Sequence, residues 1–171
     1  NSGASHTNWI PAFQEGDNTY DEWYVRVEGE DRIPDLAIGR LPVRSATQAE
    51  GLVDKLINYE RSPEVGPWQA RTLVVSDDVN NPQKPEQLES FFVFDSETLS
   101  RSYMPADLNL DKLYIGQFPL EGRTKPQARD EFIEEFNKGA LIITYIGHGN
   151  PETLAHEQMF VLSRDISLID N

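Results

Sequence analysis

Gly147-His148-Gly149 follows the most apolar run of the chain, Ala140-Leu-Ile-Ile-Thr-Tyr-Ile146. A histidine at the tip of a buried strand, between two glycines, presents its ring to solvent. Small flanking residues let a substrate approach the main chain closely. Imidazole is the side chain best matched to proton transfer near neutral pH, and the N–H of Gly149 is placed to meet a developing oxyanion. The plain alternative is a tight turn after a strand, with a histidine that caps something. A second apolar run, Thr72-Leu-Val-Val75, leads through Ser76 to Asp77-Asp78. A carboxylate at a neighbouring strand tip can hydrogen-bond a histidine ring, fix its tautomer and stabilise the imidazolium. Asp equally caps loops and helices. Two acids also admit a metal ion, but no third ligand stands at a fixed spacing.

Other residues carry less. His156, eight positions after His148 and beyond Pro151, does not form the i, i+4 pair of a zinc helix and reads as packing or surface. His6 sits in loop sequence. There is no Gly-x-Ser-x-Gly elbow and no phosphate-binding Gly-x-x-x-x-Gly-Lys-Ser/Thr. Asp17, Asp21 and Glu22, and the acids of 28–35, read as a solvated face, with calcium as the sharper alternative. Trp9, Trp23 and Trp68 read as packing.

Composition narrows the classes. The 171 residues carry 15 Lys+Arg against 29 Asp+Glu, a net charge of −14, and no cysteine. That charge argues against nucleic acid or an anionic membrane as partner, since phosphate needs a basic face. Zero cysteine excludes a disulfide scaffold, a thiolate metal site and, within this sequence, a cysteine nucleophile. The longest apolar run is too short to span a bilayer, and no N-terminal segment reads as a signal peptide. The first residue is Asn1, so the sequence is expected to be a piece of a longer protein.

The elements that must position these residues alternate. Residues 1–16 read as loop, Glu22–Val27 and Asp35–Val43 as short strands, the second with Pro42 at an end or edge. Ser45-Ala-Thr-Gln48 is a capping box, and Ala49, Leu52, Val53, Leu56 and Ile57 share one helical face up to Pro63 and Gly66. Residues 72–75 form a buried strand, 86–104 a helix and 112–115 a strand. Thr124-Lys-Pro-Gln127 is a second capping box that opens a helix ending at Gly139. Residues 140–146 form the last strand, and 151–160 and 163–169 read as helical. Strands alternating with helices imply an α/β fold with a mainly parallel sheet covered on both faces. In such sheets ligands bind beyond the C-terminal strand ends, where Asp77, Asp78 and His148 lie.

These segments resemble a known family. Asp31-Arg-Ile-Pro-Asp-Leu-Ala-Ile-Gly-Arg-Leu-Pro-Val-Arg-Ser45, Asn58-Tyr-Glu-Arg61, Trp68, Leu73-Val-Val-Ser-Asp-Asp78 and Gly139-Ala-Leu-Ile-Ile-Thr-Tyr-Ile-Gly-His-Gly149 occur in that order. From about Trp23 onward the chain resembles the gingipain family of cysteine peptidases, and within it the gingipain-like sortases of type IX secretion. The resemblance implies a caspase-like, three-layer α/β/α sandwich. It implies a 1–34 loop-and-strand segment of the catalytic domain, then a 35–171 caspase-like subdomain that stops before the nucleophile strand. His148 falls on the catalytic histidine and Gly149 on an oxyanion-hole residue. Asp78 falls on the supporting acid, with Asp77 as the adjacent fallback. No cofactor is required, and calcium as a structural ion is implied without a location. The implied partners are a polypeptide substrate and the remainder of the catalytic domain. The implied location is the bacterial surface, outer membrane or medium.

The implied chemistry is acyl transfer by a thiolate from outside this sequence. Water as acceptor gives proteolysis and an amine gives a sortase. A relative that keeps the fold without the chemistry, as a structural or secretion module, is the alternative. A phospho-receiver domain would share the acid pair after its first strand, but Gly116-Gln117 offers no acceptor Asp after residues 112–115. An open sheet edge would also invite self-association.

Overall fold

A computed structural model describes residues 10–16, 18–81, 84 and 91–170. His6, Trp9, Asp17 and the 86–90 part of the expected helix lie outside the described residues. The chain divides into two compact units, Asn1–Glu64 and Val65–Asn171.

The first unit opens with a hairpin of β1 (Phe13–Glu15) and β2 (Asn18–Tyr20), turning at Gly16 with φ +63°. The strand expected at Glu22–Val27 is instead a 3₁₀ turn over Asp21–Val25, and Asp35–Val43 is irregular. Side chains rather than a ladder hold this region. Asp35 accepts the backbone N–H groups of Val27 and Glu28, and Arg40 grips Asp21 with two nitrogens. Helix α1 (Ala46–Arg61) starts where its capping box places it: Ser45 Oγ accepts the Gln48 N–H at 3.2 Å.

The second unit is the α/β core. Its sheet has the order β4-β3-β5, all parallel, from β3 (Arg71–Ser76), β4 (Asn109–Tyr114) and β5 (Ile142–Ile146). Alternation along the central strand sends Leu73 and Val75 to one face, where they pack with Leu113, Ile115 and with Ala128 and Phe132 of α3 (Pro126–Asn137). Lys112 and Tyr114 point to the other face. There both reach Glu97 of α2 (Phe91–Ser102), so the two helices cover opposite faces. The three-layer α/β expectation holds.

Two further expectations fail. Thr124 does not cap α3; its hydroxyl turns to the Glu121 carbonyl, and Lys125 takes the N-cap position with no side-chain cap bond. The segment 151–160 is not a helix. It is a hairpin of β6 (Thr153–Leu154) and β7 (Phe160–Val161), with Ala155 and Gln158 at φ +62° and +58° between them. A short helix, α4 (Leu162–Asp165), and a 3₁₀ turn follow. Among the described residues no helix is long and apolar enough to cross a membrane.

Candidate functional site

Parallel strands in register bring their C-terminal tips together. Ser76 pairs with Ile146, and the Asp77 N–H donates to the Ile146 carbonyl at 3.0 Å. The next residues on the two strands are therefore neighbours. Asp77 is buried, and its Oδ2 accepts the His148 backbone N–H at 2.9 Å and lies 3.4 Å from His148 Nδ1. Its Oδ1 accepts the Asp78 N–H at 2.9 Å. Burial pushes the Asp77 carboxyl up, and the negative charge of Asp78 adds to this, while the two backbone donors pull the other way.

Gly147 has a steric reason. A Cβ there would overlap Asp77 Cβ and lie 2.5 Å from Tyr145 Oη, so only glycine lets the acid and the tyrosine pass beneath the turn. Tyr145 donates to the His148 carbonyl at 2.7 Å and stands 3.5 Å from Asp77 Oδ2. Its burial pushes the phenol well above the ordinary range.

The His148 side chain is 40% exposed. Phe92 meets its ring edge-on at 4.9 Å between centroids, and the His156 ring lies 4.5 Å away, tilted by 36°. The β6–β7 hairpin brings His156 there: Ala155 N–H donates to the His148 carbonyl at 2.8 Å, and Asn150 N–H to the Thr153 carbonyl at 2.9 Å. Gly149 is the bridge residue between those two bonds, opposite Leu154. Its own N–H makes no hydrogen bond among the described residues and lies outside the ladder.

Asp78 takes a different place from the expected one. Asp77, the fallback, meets His148. Asp78 is turned to the buried ammonium of Lys125, which also donates to the Ile115 carbonyl at 2.9 Å. The Asp78 Oδ1 accepts the Asn80 N–H at 2.7 Å.

Sequence reasoning missed Glu157. It is fully buried, and neither carboxyl oxygen has a hydrogen-bond partner among the described residues. Carboxylate oxygens of Asp77, Asp78 and Glu157 lie within 4.8 Å of one another. Lys125 already supplies the cation of this cluster, so the donor set does not suit a divalent ion, and the calcium implied by the resemblance is not assigned to it. Burial, with the charge of Asp78 next, raises the Glu157 carboxyl from its ordinary 4.5 to about 7. An acid with a raised folded pKa takes up a proton on folding between those two values. Glu157 therefore lowers stability as pH rises from about 4.5 to about 7, by on the order of 3 kcal/mol. Glu157→Gln is expected to match the wild type near pH 4 and to exceed it in urea midpoint near pH 8. Midpoints that run parallel across that range would show that the carboxyl reaches water.

The model of Peptidase family C25 matches residues 1–171, the whole chain. No curated protein and no solved structure matches it. The parallel sheet between helices is consistent with the caspase-like fold of such peptidases.

Proposed function

The chain belongs to peptidase family C25, the gingipain family of cysteine peptidases, and from that premise we propose that it carries the histidine half of an acyl-transfer centre. The thiolate comes from outside these residues, since the sequence has no cysteine. The observation that carries this reading is the Asp77–His148 pair at two adjoining strand tips, with the ring open to solvent.

Asp77 faces Nδ1 and favours the tautomer protonated there. This leaves Nε2 to accept a proton. The thiol proton passes to Nε2 as sulfur bonds to the carbonyl carbon of a peptide, and the carbonyl electron pair moves onto oxygen. The N–H of Gly149 supports that oxyanion. When the oxyanion collapses, the C–N bond breaks and the leaving amine takes the proton from Nε2. A thioester remains. Water then releases an acid, or an amine acceptor on a sugar or lipid forms a new amide. The second outcome is the sortase reaction. On this reading the substrate is an exported polypeptide and the enzyme works at a bacterial surface or in the medium. The open side of β5, where Leu141 and Ile142 are exposed, is where the rest of the catalytic domain would pair.

The second reading is a C25 relative that keeps the fold as a structural or secretion module. One experiment decides between them. The full-length protein is treated with an electrophilic peptide probe, with and without His148→Ala, and the modified residue is found by mass spectrometry. A cysteine labelled only when His148 is present supports the peptidase or transpeptidase. No labelled cysteine, or undiminished labelling and turnover in His148→Ala, overturns it.

A further inference from the structure

We propose that His156 is a positioning residue for His148: its ring forms one wall of a slot, with Phe92 as the other side, that holds the His148 imidazole with Nδ1 toward Asp77. The inference rests on the reading of His148 as the proton carrier. Three observations lead to it.

The first is the ring geometry. A 3.4 Å approach to Asp77 sets the distance of Nδ1, whereas ring neighbours limit rotation about χ1 and χ2. Phe92 edge-on at 4.9 Å and His156 at 4.5 Å restrict that rotation. The second is that His156 is itself anchored. The Lys84 N–H donates to Asn81 Oδ1 at 3.2 Å, which orients the amide so that Nδ2 faces His156 Nε2 at 3.3 Å. An amide nitrogen only donates, so His156 Nε2 accepts. The third is the backbone that delivers it. His156 sits between buried Ala155 and buried Glu157, and Ala155 is hydrogen-bonded to the carbonyl of His148 itself. Ala155 and Gln158 adopt left-handed backbone without glycine, a conformation that side chains rarely take. The hairpin thus presents the His156 ring to the turn it is bonded to.

The test separates the wall from the polar group. In the full-length protein, with nitrogen-15 in histidine, long-range ring spectra report the His148 tautomer and nuclear Overhauser effects report its contact with Phe92. The wild type should show one tautomer, protonated at Nδ1, and the Phe92 contact. His156→Ala and His156→Gln should both give averaged ring shifts and lose the contact, whereas His156→Phe should keep both signatures. In the full-length enzyme, kcat should fall about 10- to 100-fold in the Ala and Gln variants with KM unchanged, and recover most of that loss with Phe. An unchanged His148 tautomer and contact in both Ala and Gln variants overturns the proposal. Rescue by Gln but not Phe overturns it too, since the polar group would then be what matters. The ring spectra need no turnover, so they stand apart from the failure of the peptidase reading, which His148→Ala reports.

Discussion

Asp77→Asn is expected to lower turnover of the full-length enzyme by about 10³- to 10⁴-fold, the scale on which an acid-to-amide change disables the orienting partner of a catalytic histidine. The substitution keeps shape and changes donors. Asp77 offers two oxygens, one to the His148 N–H and one to the Asp78 N–H. Asparagine has one carbonyl oxygen, so one backbone N–H must face an amide NH₂. If that NH₂ lies on the His148 side, it also faces Nδ1 and favours the tautomer protonated at Nε2, which then takes no proton. The buried N–H left unpaired costs about 1–3 kcal/mol of stability, far less than the catalytic loss. Asp78→Asn should do the reverse. Its carboxylate serves Lys125 and Asn80, so the loss falls on stability, with a much smaller fall in turnover for the molecules that remain folded. Both variants are assayed below their melting range, with folded fraction measured by urea titration. An Asp78→Asn variant that folds normally yet loses 10³-fold in turnover, beside an active Asp77→Asn, would restore the expected assignment of Asp78 to His148.

The exchange of one acid for its neighbour marks the limit of what sequence could give. The apolar run at 72–75 identifies the central strand because burial on both faces leaves no room for alternation, and the run at 140–146 identifies the strand beside it. Once the strands are parallel and in register, Asp77, Asp78 and His148 must share one end of the sheet. Which acid turns to the histidine depends on a side-chain direction set after the strand has ended. Here that direction is decided by Lys125, forty-seven positions later. A lysine at the start of a helix carries no signal of burial, since lysine is rarely buried unless paired. The hairpin at 153–161 was illegible for another reason. Its left-handed residues are Ala155 and Gln158, not the Gly, Asn or Asp that announce a turn. With that hairpin read as a helix, His156 and Glu157 could not be placed beside His148 and the acids. In the first unit, Asp35 and Arg40 bind backbone and Asp21 in a way that replaces ladder pairing, so the apolar stretch 36–43 resembles a strand but forms none.

Lys125→Met should be the most damaging single change to stability, about 3–5 kcal/mol, because it removes one partner of a buried ion pair and leaves the other charged. Asp78 has almost no access to water, and the Ile115 carbonyl loses the lysine donor in the same step. Lys125 also opposes the upward shift of the Glu157 carboxyl, so its removal presses that group further toward the protonated form. The deficit should therefore shrink at low pH, where Glu157 is neutral. Methionine fills most of the volume of the lysine stem, so the loss reads the charge rather than a cavity. The double variant Asp78→Leu/Lys125→Met removes both charges and should recover most of the loss, as buried pairs often exchange for apolar residues with little penalty. Urea unfolding of the wild type, each single variant and the double variant closes the cycle. A Lys125→Met protein within about 0.5 kcal/mol of the wild type, the range of ordinary surface changes, would mean that Asp78 has another counter-charge. If the single variant is destabilised and the double is not, the pair specifies which acid faces His148 and contributes little to folding beyond that. The double variant should then fold with Asp77 still on His148, and its turnover should stay within reach of the wild type.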